Sequence, residues 1–315
     1  MADGGDSDLL PDFFVIGAQK AGTTALCSIL ASHPRIVTCN PKEPNCFDGD
    51  DFLGHPAAAI EARHEWWTDW ERNQSAATQI YAKGLAGAPP QAVKGEGSTT
   101  YLPSRKAPQR MGRMVPRAKL IVVLRNPVDR AYSAYWHQVK SRVASLPFES
   151  QIKVGPASIV EMGFYREQLA RWLDYFPREQ VKIIVYENLK EQPGEAIRDL
   201  LDFLDVEGDL PADKLAHREH VAKVPRSLTL QLVINHAGLW TGRPVGWRHL
   251  VRPPRSGWRR GADRVLNRLT RMNLGERPYP PMAGEIRERL TDLYRHENDG
   301  LGRMVGIDVE AKWGW

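Results

Sequence analysis

Short apolar runs and amphipathic stretches alternate along the chain. Mostly apolar runs of the kind found in strands lie at 13–16, 92–95, 119–124 and 181–185. The run at 119–124 is almost continuously apolar, which is typical of a strand buried on both faces of a parallel sheet. Apolar residues at helical spacing predict helices at 25–33, 57–82, 127–142, 165–176, 196–204 and 286–301. The alternation predicts an α/β fold, with a central parallel β-sheet flanked by helices.

Three stretches depart from this alternation. Turn-forming and polar residues predict loops at 38–54 and 96–102. The segment 241–271 holds nine Arg against the single Asp263, with Pro and Trp interleaved. We expect this segment to be an Arg-rich inserted surface element within one domain that spans 1–315. Through Arg243–Arg271 it either contacts an anionic glycan or a membrane surface, or is a solvated charged face.

The composition narrows the class of protein. The 315 residues are 42% hydrophobic, with 10 Trp, 9 Tyr and 8 Phe, which excludes a disordered or low-complexity chain. A net charge of +5 suits anionic small molecules or surfaces better than nucleic acid, and no nucleic-acid partner is expected. The three Cys lack metal-ligand spacing, and residues 1–11 lack the pattern of a signal peptide. We therefore expect a soluble, cytoplasmic protein.

A glycine-rich loop follows the first predicted strand, from Gly17 to Thr24. Glycines permit close approach of the backbone, and the first amides of a helix attract anions. In the loop of nucleotide triphosphatases a Lys follows the second glycine, whereas Lys20 lies between Gly17 and Gly22. The pattern predicts an anion site, although such a turn can also simply connect a strand with a helix.

A second set of residues that could bind an anion follows the strand at 119–124. Arg125 stands at its end, where a nucleotide triphosphatase usually has an acidic residue that holds magnesium. Ser133 follows two helical turns later, and a guanidinium paired with a hydroxyl can bind a phosphate. Arg125 is otherwise an ordinary ion-pair partner at the end of a strand.

Both groups resemble the nucleotide-binding motifs of one enzyme family. The run from Phe14 to Thr24 resembles the 5′-phosphosulfate loop of sulfotransferases, and the run from Leu124 to Ser133 resembles their 3′-phosphate motif. Similarity extends through 163–204 and the closing helix. The runs from Pro41 to Asp48 and from Gly95 to Tyr101 resemble the heparan sulfate and related carbohydrate sulfotransferase branch, including its bacterial members.

The resemblance implies a P-loop-like sulfotransferase fold and a set of roles. The co-substrate would be 3′-phosphoadenosine 5′-phosphosulfate, the product adenosine 3′,5′-bisphosphate, and no metal would be needed. Lys20 would neutralise charge on the leaving phosphate, and Glu43 would be the general base, with His33 and Asp48 as alternatives. The residues implied to bind the nucleotide are Lys20, Ala21, Gly22, Thr23, Thr24, Arg125, Ser133 and, from a late basic loop, Arg226.

One position departs from the pattern of that branch. Heparan-type enzymes have a lysine where this chain has Gly97. Either Lys20 or Lys42 supplies the missing charge, or the acceptor contributes differently. Glu96 and Tyr101 are candidates for lining the acceptor cleft, and Tyr101 is alternatively a packed aromatic.

The expected reaction is sulfuryl transfer to a hydroxyl of a carbohydrate, a glycolipid or a glycosylated metabolite. Trp66, Trp67 and Trp70 form either a sugar-stacking platform or part of the core. Two other classes stay open: a P-loop small-molecule kinase, which would need magnesium, and a non-catalytic nucleotide-binding or glycan-binding module. Nothing in the sequence specifies the oligomeric state.

Overall fold

A five-stranded parallel sheet forms the centre of the molecule. The computed structural model describes residues 9–48, 70–155, 158–208, 210, 223–240 and 257–315, without the side chains of 70–76 and 240. The strands are β1 (Phe13–Gly17), β2 (Ile36–Thr38), β3 (Val93–Gly97), β4 (Lys119–Leu124) and β5 (Val181–Val185). Their order is β2-β3-β1-β4-β5, and every neighbouring pair is parallel. The predicted α/β class is confirmed.

Helices flank this sheet. They are α1 (Thr23–Leu30), α2 (Trp70–Gly84), α3 (Ala107–Met114), α4 (Pro127–Lys140), α5 (Phe148–Val154), α6 (Tyr165–Leu173), α7 (Tyr186–Glu191), α8 (Pro193–Phe203), α9 (Leu228–Trp240), α10 (Gly257–Asn273), α11 (Gly284–Glu297), α12 (Leu301–Val305) and α13 (Val309–Trp313). A two-stranded antiparallel ribbon, β6 (Lys223–Pro225) with β7 (Leu274–Glu276), joins the start of α9 to the end of α10.

Strand β1 lies in the middle of the core. All five of its residues are buried, because β3 and β4 flank it and helices cover both faces of the sheet. Phe13 pairs with Gly95 on one side and with Lys119 on the other. The carboxyl ends of β1, β3 and β4 therefore lie together at one edge of the sheet, the edge at which open parallel sheets bind ligands.

The start of α4 is fixed by local sequence. Asn126 caps the helix, since its side chain accepts hydrogen bonds from the amides of Val128 (3.0 Å) and Asp129 (3.4 Å). Pro127 occupies the first helical position, where its fixed φ fits and its missing N–H costs nothing. The predicted helix thus begins directly after Arg125, and it ends at Lys140 rather than near 142.

Several boundaries differ from the predictions. Strand β2 was not predicted, because a run of three residues is too short to be recognised in the pattern. Its last residue, Thr38, lies within the predicted loop 38–54. Strand β3 extends to Gly97, so the predicted loop 96–102 begins later. The predicted helix 286–301 is instead two helices, because Gly300, with φ 76°, separates α11 from α12.

Two predicted segments lie partly outside the described residues. The helix predicted at 57–82 is described from Trp70 onward as α2, and the side chains of the Trp66, Trp67 and Trp70 cluster are outside the description. Residues 241–256 of the Arg-rich element also lie outside the described residues, and the rest of this element belongs to helix α10. Among the described helices, none has both the length and the apolar character needed to cross a bilayer.

Replacing Gly95 by Ala should destabilise the sheet. A Cβ at Gly95 would overlap the ring of Phe13, which covers this glycine in the buried core. Overpacking of this kind costs about 1–3 kcal/mol. Urea unfolding should show this loss, whereas the control Gly284→Ala, where a Cβ meets nothing within 4 Å, should change the free energy of unfolding by less than about 0.5 kcal/mol. Equal stability of the two variants would contradict the prediction.

Candidate active site

The two predicted anion loops lie side by side. The amide of Ala18, in the loop after β1, donates to the carbonyl of Val123 in β4 (2.8 Å). The guanidinium of Arg125, which follows β4, donates to the carbonyl of Lys20 (2.9 Å). Since β1 and β4 are parallel neighbours, their following loops open at the same edge of the sheet.

The first loop has a backbone conformation that few residue types adopt. Lys20 has φ 70° and Gly22 has φ 84°. A Cβ at Gly22 would lie 2.9 Å from Cε2 of Tyr186, so glycine is required there both for conformation and for space. A left-handed lysine costs on the order of 1–3 kcal/mol and is typical of functional sites. Helix α1 begins directly afterwards at Thr23, with its first amides at the loop.

The second loop is held by residues that the sequence did not single out. The Arg125 guanidinium lies 5.0 Å from the centroid of the Tyr186 ring, a cation–π contact. The Tyr165 hydroxyl donates to the Arg125 carbonyl (2.9 Å), and the amide of Asn126 donates to the Glu187 carboxylate (3.1 Å). These contacts fix a half-buried arginine at the end of β4.

Glu43 lies beside the first loop. It has φ 60°, and its amide donates to the carbonyl of Gly97 (3.2 Å). Its Oε1 accepts hydrogen bonds from the Thr99 hydroxyl (3.2 Å) and from Lys42 Nζ (3.4 Å). Lys42 Nζ also donates to Thr24 Oγ1 (2.8 Å). Lys42 therefore connects the predicted base with the predicted anion loop.

Positive charge is concentrated around Lys20. Burial lowers the pKa of Lys20 to about 8, and the charges of Lys140, Arg125 and Lys42 add to this decrease, while Glu43 opposes it. At neutral pH the ammonium is still mostly protonated. A bound anion would relieve the repulsion among these cations, so the donor set suits a strongly anionic ligand.

Helix α4 contributes two further residues, His137 and Lys140. Burial, with the charges of Lys20 and Lys140, lowers the pKa of His137 to about 4, so its imidazole is neutral at physiological pH. The predicted residue Ser133 is 4% exposed and lies one turn before His137 on the same helical face. The spacing of four residues between Ser133 and His137 is the signal in the sequence that could have identified this histidine.

Gly97 is closely surrounded, and Lys42 is one of its neighbours. A Cβ at Gly97 would lie 2.8 Å from Sγ of Cys27 and 3.7 Å from Cε of Lys42. A longer side chain at this position would therefore displace both neighbours. Of the two lysines considered for the missing charge, Lys42 is the one whose side chain lies next to position 97.

Glu96 and Tyr101 lie in the core rather than in a cleft, with 1% and 0% exposure. The Tyr81 hydroxyl donates to Glu96 Oε2 (3.0 Å). The Tyr101 ring packs edge-on against Phe47 with centroids 5.6 Å apart, and its hydroxyl oxygen accepts from the amide of Cys46 (2.8 Å). The prediction that they line the acceptor cleft is wrong, and Tyr101 is the packed aromatic. Through its contacts with Cys46 and Phe47, Tyr101 holds the loop that carries the predicted base.

Three other predicted residues have different surroundings. His33 follows α1 at the opposite edge of the sheet, where its Nδ1 accepts from the Arg35 amide (3.2 Å), so it is wrong as an alternative base. Asp48 is 1% exposed, and its role as an alternative base stays a prediction. Arg226 is exposed after β6, and its amide donates to the Asn273 carbonyl (2.6 Å). Its role in closing over a nucleotide stays a prediction.

The comparisons with known proteins agree with this arrangement. A family model described as a sulfotransferase domain matches residues 10–222. The chain therefore belongs to the sulfotransferase family and is an enzyme of that family. This assignment decides against the kinase and against the non-catalytic binding module.

Heparan sulfate sulfotransferases are among the similar proteins. The bifunctional heparan sulfate N-deacetylase/N-sulfotransferase 4 of Mus musculus is 32% identical, and N-deacetylase/N-sulfotransferase 3 of Homo sapiens is 29% identical; each match covers 95% of this chain and 30% of the relative. The chain thus spans less than a third of the length of these relatives. The heparan sulfate glucosamine 3-O-sulfotransferase 3B1 of Mus musculus is 26% identical, with coverage of 99% and 66%.

A bacterial sulfotransferase has a similar structure. The crystal structure of a sulfotransferase from Alicyclobacillus acidocaldarius superposes with a TM-score of 0.61 at 25% identity, and covers 97% of this chain and 99% of its own. The central parallel sheet with flanking helices is therefore the sulfotransferase fold.

Replacing Glu96 by Gln should change how stability depends on pH. Burial raises the pKa of Glu96 to about 7 from its usual value near 4.5, so the folded protein binds this proton more tightly than the unfolded chain. The free energy of unfolding that depends on this proton is fully present below about pH 4.5 and is lost as the pH rises through about 7. The whole change is about 3 kcal/mol. Glu96→Gln, which stays neutral, should gain stability relative to the parent between pH 5 and 8 in urea titrations. A pH-independent difference would contradict the prediction.

Proposed function

We propose that this sulfotransferase uses 3′-phosphoadenosine 5′-phosphosulfate and transfers its sulfuryl group to a hydroxyl of a carbohydrate, a glycolipid or a glycosylated metabolite. The observation that carries this proposal is the juxtaposition of two cationic loops with a carboxylate. Lys20 and Arg125 come from adjacent strand ends, and Glu43 lies close enough to Lys20 to affect its pKa.

The residues present fit a nucleotide with phosphates at both ends. Lys20, the backbone of Ala21 and Gly22, and the hydroxyls of Thr23 and Thr24 would hold the 5′-phosphosulfate, where the first amides of α1 also point. Arg125 and Ser133 would hold the 3′-phosphate. Burial and then the neighbouring positive charges lower the pKa of Lys20, and the negative charge of the nucleotide would offset the contribution of those charges.

The reaction needs one proton acceptor and strong electrostatic stabilisation. The acceptor oxygen forms a bond to sulfur while the bond between sulfur and the bridging phosphate oxygen breaks. Glu43 takes the proton of the attacking hydroxyl, and Lys20 donates to the bridging oxygen as negative charge develops there. The Thr99 hydroxyl, 3.2 Å from Glu43 Oε1, orients the carboxylate.

Lys42 supplies the positive charge that a lysine at position 97 would otherwise provide. Its ammonium lies between Thr24 Oγ1 and Glu43 Oε1, at 2.8 Å and 3.4 Å, and thus borders both the donor site and the base. A cation at this place would stabilise negative charge on the transferring sulfuryl oxygens.

A carbohydrate acceptor is supported by the similar proteins. Two of them are named for N-sulfation or 3-O-sulfation of heparan sulfate. The resemblance of the loop that carries Glu43 to the carbohydrate sulfotransferase branch supports the same broad class of acceptor for this chain. Amino sugars therefore belong in any acceptor screen beside hydroxyl acceptors.

Replacing Glu43 by Gln should separate binding from chemistry. The parent protein, incubated with labelled sulfate donor and a panel of sugars, glycolipids and glycosylated metabolites, should add one sulfuryl mass to an acceptor. Glu43→Gln should lower kcat about 100-fold or more and leave the affinity for adenosine 3′,5′-bisphosphate unchanged in calorimetry.

Arg125→Ala is the matched control, with nucleotide affinity about 10- to 100-fold lower. Full turnover by Glu43→Gln would exclude it as the base. The absence of any calorimetric heat with the parent protein would contradict nucleotide binding.

Replacing Lys42 should test whether it supplies the missing charge. Lys42→Met keeps the length of the side chain but removes the cation, and should lower kcat about 10- to 100-fold with little change in nucleotide affinity. Lys42→Arg should retain more activity than Lys42→Met. In the Lys42→Met background, Gly97→Lys combined with Cys27→Ala, which removes the clashing sulfur, should restore part of the rate. Equal rates for Lys42→Met and the parent would refute the role.

A further inference from the structure

We propose that α10 docks this protein on the surface of an anionic phospholipid bilayer. The proposal concerns a face of the molecule that the sulfuryl transfer does not use, and it holds or fails independently of that reaction. Among the described residues, twelve large apolar side chains are exposed, and seven of them belong to α9 and α10. Exposed apolar side chains concentrated in one place mark an interaction surface.

Helix α10 carries an apolar stripe that faces solvent. Trp258, Val265, Leu269 and Met272 are 65%, 58%, 41% and 64% exposed. At about 100° per residue, their positions fall within an arc of roughly 60° on the helix. The four side chains therefore form one stripe along nearly the whole helix, with a tryptophan at its first turn.

A basic face borders this apolar stripe. Arg260, Arg264, Arg268 and Arg271 are exposed and fall on a neighbouring arc of roughly 80°. The one acidic residue of the helix, Asp263, faces the protein, where its carboxylate pairs with Arg142 (2.5 Å). The outward surface of α10 thus combines arginines with apolar side chains and has no acidic residue.

The remaining face of α10 holds it on the protein. The Thr270 hydroxyl lies 3.2 Å from Gln231 Nε2 of α9, and Asn273 donates to the carbonyl of Ser227 (2.9 Å). Thr270 and Asn273 are buried, with 6% and 7% exposure. Because these contacts fix the rotation of the helix, the apolar stripe is directed outward by the fold itself.

The arginines and the apolar stripe of α10 together favour an anionic bilayer as the partner of this face. A bilayer with anionic headgroups offers phosphates to the arginines and an apolar layer to the stripe, and long arginine side chains reach the headgroups from the flank of a helix in the interface. A hydrated polyanionic glycan would leave Val265, Leu269 and Met272 uncovered. A second copy placed on the same face would bring two rows of arginines together, which like-charge repulsion opposes.

Vesicle sedimentation with the full chain tests the proposal. The parent should bind vesicles of phosphatidylcholine with phosphatidylglycerol, bind phosphatidylcholine alone far less, and lose binding as salt rises. The double variants Val265→Asp/Leu269→Asp and Arg264→Gln/Arg268→Gln should each reduce partitioning about 10- to 30-fold. Val154→Asp, at an apolar side chain on α5 that is 69% exposed, is the matched control and should bind like the parent.

Three results would overturn the docking surface. They are no sedimentation of the parent with anionic vesicles, undiminished binding by the Val265→Asp/Leu269→Asp variant, and a dimer in sedimentation velocity that this variant abolishes without any effect of vesicles. Unchanged unfolding midpoints and far-UV circular dichroism establish that each variant is folded. None of these readouts depends on nucleotide binding or turnover, so failure here leaves the proposed reaction untouched.

Discussion

Parallel pairing of β1 with β3 and β4 is the constraint on which the site depends. Because the three strands run in the same direction, the loops that follow them open at one edge. Residues far apart in the chain, Lys20, Gly97 and Arg125, thereby lie at the same edge of the sheet. The Phe13 ring packs on Gly95, where no side chain fits beside it, so a shift of β1 against β3 would bring this ring against a larger residue.

The stability gained in the sheet offsets unfavourable local structure at its edge. Lys20, Glu43 and Asn45 all have positive φ, and they account for three of the five non-glycine residues in that conformation among those described. Repulsion among cations adds to this strain, and together with burial, the larger cause, it lowers the pKa of Lys20. Strain and repulsion of this kind pre-organise a site for a ligand of opposite charge, so that little rearrangement is needed on binding.

The sequence predicts the parts of this molecule that depend on local pattern. The strand 119–124 and the helix after Arg125 follow from an apolar run and from Pro127, and both are present. Contacts made across the fold are not visible in such patterns. The cation–π contact of Arg125 with Tyr186 and the burial of Glu96 arise from tertiary packing, and no spacing in the sequence predicts them.

The contact between position 97 and Cys27 also bears on how the site can change by mutation. A lysine introduced at Gly97 alone meets the Cys27 sulfur, and loss of Lys42 alone leaves the carboxylate of Glu43 without its nearest cation. Under the role proposed for Lys42, conversion to an enzyme with lysine at position 97 passes through less active intermediates unless Cys27 becomes smaller first. The order of substitutions, rather than their number, limits the evolutionary route between the two arrangements.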